Sequence, residues 1–184
     1  LGAIHVVTPP NPDSAIFDYM SWRVMAGDRL YVDVIEQNWP GAVWIHMLST
    51  AVLGNPWWGF PLLDYLLLML ASAALFWMGS RGGARWTGWL AATRCPLMYV
   101  TSTPWMTGQR DALAAHLLVL GSALYVGTRG RWSGLWMVVL GLLCALTVMT
   151  RPTYLLFPAL IVLFELVAHR VASRSPLPFL KGMS

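Results

Sequence analysis

The chain has 184 residues, of which 57% are hydrophobic and only 11% charged, with a net charge of +4. Soluble domains carry about a quarter charged residues, so this composition excludes an ordinary soluble domain and points to an integral membrane protein. The net positive charge does not indicate nucleic-acid binding, because the arginines are scattered among short loops and form no basic face that tracks phosphates.

Taken in chain order, the sequence opens on "LGAIHVV", an apolar phrase too short to cross a bilayer. It reads as the tail of a helix that begins before Leu1, in a chain cut from a longer protein. The opening residues do not read as a signal peptide with a basic leader and a cleavage site. After Pro12 comes a helix. Ile16, Phe17, Met20 and Val24 recur at helical spacing and predict an apolar face, with Ser14, Asp18 and Ser21 on another. Such a helix is expected to lie flat on the membrane. Gly27 ends it, and "GDRLYVD" reads as a loop or a short extended piece. The stretch "GAVWIHMLSTAVLG" at 41–54 has 14 residues, which suits an interfacial or re-entrant helix better than a crossing.

Five longer apolar segments follow, at 57–79, 86–103, 109–128, 132–150 and 153–169. Arg81 and Arg85, then Arg129 and Arg131, then Arg170, Arg174 and Lys181 fall on one side if 41–54 does not cross. The positive-inside rule makes that side cytoplasmic. Residues 9–56 then form an outward loop, 57–169 five transmembrane helices, and 170–184 a cytoplasmic loop. Tryptophans at the span ends, including Trp57, Trp58, Trp86, Trp89, Trp105, Trp132 and Trp136, fit interfacial anchoring. The fold expected is all-α, a polytopic transmembrane helix bundle with amphipathic juxtamembrane helices in its first outward loop.

The acids concentrate in that loop: Asp13, Asp18, Asp28, Asp33 and Glu36. Asp13 follows Pro12 at the helix start, where an N-cap is one reading and a catalytic carboxylate the other. The remaining four read as solvated loop charges. Two ions fall inside predicted spans, Asp64 and Arg94. Their depths differ by less than the reach of the two side chains, so an ion pair is expected, with a place in a substrate cavity as the second reading. Glu165, beside His169 and Arg170, reads as a boundary charge. Cys95 and Cys144 lie in apolar runs, and the four histidines are too far apart for a histidine metal site. Acids in one loop can hold a divalent ion through oxygen ligands, but no spacing fixes the geometry, so a divalent metal stays open.

Here the chain resembles the opening of the type C glycosyltransferases, polytopic enzymes that use polyprenyl-phosphate sugars. The resemblance rests on order and spacing: Asp13, a flat helix, Gly27-Asp28 with Tyr31, then "NWPGAVWIHMLSTAVLG" and a hydrophobic span. Asp13 stands 14 positions before Gly27, where the family's catalytic aspartate stands before a Gly-Asp or Gly-x-x-Tyr element. The family's "KPP" appears as Asn38-Trp39-Pro40, without its lysine. "TGQRDAL" and "MTRPTYLL" place Gln109, Arg110, Asp111 and Arg151 at the outer ends of two spans, where similar relatives carry Arg-Asp and Arg-Pro or Lys-Pro elements. The resemblance implies sugar transfer at the outer face of a bacterial inner membrane, from a polyprenyl-phosphate donor to a lipid, glycan or protein acceptor, with inversion. It implies Asp13 as base, and Arg110, Asp111, Arg151, Asp18 and Asp33 around donor phosphate and substrate. The alternatives are a non-enzymatic membrane subunit or scaffold, and a transporter, although no internal repeat supports the last.

Overall fold

A computed structural model describes residues 11–54, 58–81, 85–102, 108–129 and 133–174, with side chains to residue 170. The opening "LGAIHVV", Trp57, Trp105, Arg131, Trp132, Lys181 and most of the 170–184 loop lie outside the described residues. Every element of the described residues is helical, and a single Leu30–Val34 bridge is the only β pairing among them. The protein is an all-α helical bundle.

The helices are α1 (Pro12–Met25), α2 (Gly41–Leu53), α3 (Gly59–Arg81), α4 (Arg85–Thr101), α5 (Arg110–Thr128), α6 (Gly134–Thr150) and α7 (Leu156–Arg174), with a 3-10 turn at Pro152–Leu155 before α7. Helix α1 starts where its caps dictate. Pro12 occupies the first turn, and the Asn11 side chain accepts a 2.8 Å hydrogen bond from the Ser14 N–H. The cap is therefore Asn11, and Asp13 is not used for it. Helix α2 stops at Gly54, which adopts the left-handed conformation (φ 71°) that an αL cap needs. Its 13 residues span about 20 Å, short of the roughly 30 Å hydrocarbon core.

Of the five predicted spans, three become helices long and apolar enough to cross a membrane by length and composition: Gly59–Arg81, Arg110–Thr128 and Pro152–Arg170. Helix α6 is equally apolar but has 17 residues. Helix α4 also has 17 residues, contains Pro96, and carries Arg85 and Arg94, so its mean hydropathy falls short.

In lipid, burying one leucine against another gains little, and close backbone approach does the holding instead. The α3–α4 hairpin uses this: a Cβ at Gly79 would lie 2.6 Å from the Gly88 Cα. Gly41 packs α2 end-on against α6 in the same way, 2.4 Å from the Met149 carbonyl carbon and the Thr150 nitrogen if given a Cβ. Ile45, Phe60, Leu113 and Leu117 join α2, α3 and α5 in one buried cluster; Phe17, Ala42 and Val43 join α1 to α2 in another. Hydroxyls inside the bundle return to their own helices: Ser72, Thr147 and Thr150 donate to carbonyls four residues back.

Three expectations change. The inward face of α1 is Ser14, Phe17 and Ser21, while Ile16, Tyr19, Trp22 and Met25 are exposed. Ser14 lies against Gly108, and Asp18 finds its partner, His46, on α2. Next, Arg94 is exposed on α4 and makes no ion pair with Asp64. Asp64 is fully buried and turns to Tyr99 and His116 instead. Finally, Glu165 is more than a boundary charge. It accepts a hydrogen bond from Tyr125 and pairs with Arg129 Nε at 3.1 Å, tying α7 to α5. That tie matters because no residue of the α7 span is fully buried.

Candidate functional site

One end of the bundle gathers most of the residues singled out in the sequence. Gly108, at φ 69°, brings the start of α5 against α1 and α3; a Cβ there would lie 2.9 Å from Phe60 Cε1 and 3.5 Å from Ser14 Oγ. Asp13 is the residue before Ser14, and Gln109, Arg110 and Asp111 follow Gly108 directly. Gln109 is the N-cap of α5 and Asp111 lies in its first turn. Arg151 closes α6 and pairs with Asp111, Nε to Oδ1 at 2.7 Å. The pair suits the helix dipoles, with an anion at an N-terminus and a cation at a C-terminus. Since α2 abuts α6 at Gly41, the four elements α1, α2, α5 and α6 meet at this end.

Asp18 reaches inward from α1. Its carboxylate oxygen lies 2.6 Å from His46 Nδ1, and the imidazole has no solvent exposure. His46 stacks on Phe60 with ring centroids 3.6 Å apart. Such a carboxylate fixes which ring nitrogen carries the proton, here Nδ1, and leaves Nε2 as the acceptor.

Asp33 stands apart from this assembly. It accepts from the Arg29 N–H at 2.9 Å and from Arg29 Nε at 3.0 Å, within the exposed turn after α1. The Arg29 side chain, and then its backbone N–H, hold the Asp33 carboxyl below its ordinary pKa. Asp28 forms an ion pair with Arg23, and Glu36 accepts from the Asn38 N–H at 2.7 Å. Arg110 is half-buried and makes no ion pair among the described residues.

These assignments leave one acid distinct. The chain has eight Asp and Glu residues. Asp18, Asp28, Asp33, Glu36, Asp64, Asp111 and Glu165 each hold a hydrogen bond or an ion pair. Asp13 is exposed and makes neither among the described residues. It lies in the first turn of α1.

Below this end, inside the bundle, lies a second polar group. Tyr99 donates to Asp64 Oδ2 at 2.6 Å and accepts from the Gly108 N–H at 2.7 Å. Asp64 Oδ1 lies 3.9 Å from His116 Nδ1, and the Tyr99 and His116 rings meet edge-on at 5.3 Å. His46, Tyr99 and His116 were not foreseen as site residues. The only sequence signal was their presence as polar groups in apolar helices. No group of three or more His, Cys, Asp and Glu side chains that could hold a metal ion occurs among the described residues. Comparison of the chain with protein-family models, curated proteins and solved structures finds no match.

Proposed function

We propose that this chain belongs to a polytopic membrane glycosyltransferase that moves a sugar from a polyprenyl-phosphate donor to an acceptor at the outer face of the membrane. The observation that carries the reading is the availability of Asp13. It alone among the eight acids is exposed and uncommitted among the described residues, on the helix that flanks Gly108 and the Arg110-Asp111 start of α5.

In the reaction envisaged, an acceptor hydroxyl or amine attacks the anomeric carbon. The bond from that carbon to the phosphate oxygen breaks, and the phosphate leaves with the electron pair. Asp13 takes the acceptor's proton. Arg110, and Arg151 held in place by Asp111, face the charge that develops on the phosphate. One displacement with one base inverts the anomeric centre. Asp18 serves through His46, by fixing α1 against α2.

The test is sugar transfer from a polyprenyl-phosphate donor by the full-length protein in liposomes. Asp13→Asn keeps the side chain's size and leaves the Asn11 cap untouched, so folding should be preserved. The rate should fall about a hundredfold or more. Near-normal transfer in Asp13→Asn would remove the base from this scheme.

A second reading draws on α7. No residue of its span is fully buried, which favours a membrane subunit that docks another helix there. A protein of that kind would show no transfer in the wild type under the same assay.

A further inference from the structure

Gly108 is a joint at which four helices meet. Its backbone adopts φ 69°, and a Cβ there would lie 2.9 Å from Phe60 Cε1 on α3 and 3.5 Å from Ser14 Oγ on α1. Its N–H donates to the Tyr99 hydroxyl on α4 at 2.7 Å. Gln109, the N-cap of α5, follows, and then Arg110 and Asp111. What holds Gly108 therefore sets the start of α5. Phe60 and Ser14 meet it by contact, which limits the closeness of approach. Tyr99 meets it with a hydrogen bond, which also sets direction.

Tyr99 is itself held. Its O–H donates to Asp64 Oδ2 at 2.6 Å, and Asp64 is fully buried on α3. A phenol has one proton, and with that proton on Asp64 the oxygen meets the Gly108 N–H as an acceptor. Donation to a carboxylate strengthens that acceptor, because hydrogen bonds in series polarise one another. Serving Asp64 needs the O–H alone. The second bond, to a backbone amide nine positions away, extends the hold to α5. The Asp111–Arg151 pair does not do the same work. Its side chains are open to water, and it ties α5 to α6 rather than to α1.

We infer that Tyr99, braced by Asp64, is a positioning residue: it fixes Gly108, and so sets how the Arg110-Asp111 start of α5 stands against Asp13 on α1. The brace belongs to the fold, and its part in turnover rests on the glycosyltransferase reading. In that reaction Asp13 takes a proton while Arg110 and Arg151 meet the departing phosphate, so the two sides must be in register at one moment. A misplacement of under about 1 Å is enough to cost about tenfold in rate.

Two measurements on the full-length protein in liposomes test this. The first is amide exchange resolved to single residues by mass spectrometry, without substrate. The Gly108 amide should be protected in the parent and exchange about threefold to tenfold faster in Tyr99→Phe, the worth of one hydrogen bond. An unprotected Gly108 amide in the parent overturns the inference whether or not Tyr99→Phe folds. The second is a double-mutant cycle on kcat for sugar transfer. Tyr99→Phe should lower kcat about tenfold in the parent but less than about twofold in Asp13→Asn, because a base that is absent cannot be misplaced. The donor concentration for half-maximal transfer should stay within about twofold, since the Asp111–Arg151 pair is untouched. Gly108→Ala displaces the same joint against Phe60, and carries the cycle if Tyr99→Phe does not fold. A variant that merely folds less well loses the same factor in both backgrounds. Equal loss in the two backgrounds therefore overturns the positioning role and leaves the glycosyltransferase reading standing. A Gly108 amide freed by Tyr99→Phe in a parent that transfers no sugar removes that reading, and the role in turnover with it, and keeps Tyr99 as the brace of α5.

Discussion

His46 Nδ1 lies 2.6 Å from an Asp18 carboxylate oxygen, joining α2 to α1 across 28 positions of sequence. The contact explains why α1 turns its serines inward and leaves Ile16, Tyr19 and Trp22 exposed. A hydrogen bond to a charged partner in a dry setting is worth more than one at the surface, roughly 2 kcal/mol. Asp18→Leu should therefore loosen α1 without unfolding the bundle. Amide hydrogen exchange over residues 15–25 should quicken by about thirtyfold, which is that energy expressed as an opening equilibrium. Unchanged protection would mean that Phe17, Ala42 and Val43 hold α1 by themselves.

The positions of the helices were legible because turn chemistry and apolar length act locally. Gly27 and Gly54 end α1 and α2, as their residue type predicts. The facing of the helices was not legible. Spacing put Ile16 and Phe17 on one apolar face, and the fold divides that face: Ile16 is 49% exposed and Phe17 6%. In a bundle bordered by lipid, apolar side chains have no need to turn inward, and polar ones seek each other. The Asp64–Arg94 expectation failed for a related reason. Rise per residue gives depth along a helix, but the contact also needs the right direction around it. Arg94 and Tyr99 are five residues apart on α4, about 140° around the axis. The side that faces Asp64 belongs to Tyr99. Within the candidate site, Asp111 and Arg151 were legible only as residues at the ends of two spans, and their pairing, like the places of His46 and His116, depended on long-range packing that no local pattern encodes.

That geometry ranks two substitutions. Tyr99→Phe removes the hydroxyl that donates to the buried Asp64 carboxylate, and should cost about 1–3 kcal/mol. Arg94→Leu changes an exposed side chain without an ion pair, and should stay within about 0.5 kcal/mol of the parent. Thermal melting of the two variants in one detergent gives the comparison. If Arg94→Leu is the more damaging, Arg94 serves Asp64 after all.

The turn after α1 has a predictable response to acid. Arg29 lowers the Asp33 pKa below its ordinary value near 3.8. A carboxyl whose folded pKa is depressed binds its proton more readily once unfolded. The stabilisation is therefore complete above about pH 4, and fades as pH falls through the lowered folded value. The turn should keep its structure from neutral pH down to that point. Carboxyl carbon chemical shifts in a pH titration report it directly. In Arg29→Ala the Asp33 midpoint should move up toward 3.8. A midpoint that ignores Arg29 would assign the shift to another cause.

Asp111 and Arg151 separate stability from function. Their side chains are 48% and 33% exposed, and ion pairs so open to solvent contribute about 0–1 kcal/mol. Arg151→Ala should melt within a few degrees of the parent. If the guanidinium serves a departing phosphate, the same variant should need at least about tenfold more donor for half-maximal transfer, and Arg151→Lys should recover only part of this, because an ammonium lacks the two-pronged fork. The charge-swapped protein Asp111→Arg, Arg151→Asp is the sharper case. It keeps an ion pair, but places a cation at the N-terminus of α5 and an anion at the C-terminus of α6, against both helix dipoles. It should melt slightly below the parent and use donor as poorly as Arg151→Ala, since the positive charge has left the end of α6. Donor use restored to the parent level by the swap would show that any cation in this region suffices, and would remove Arg151 from the phosphate.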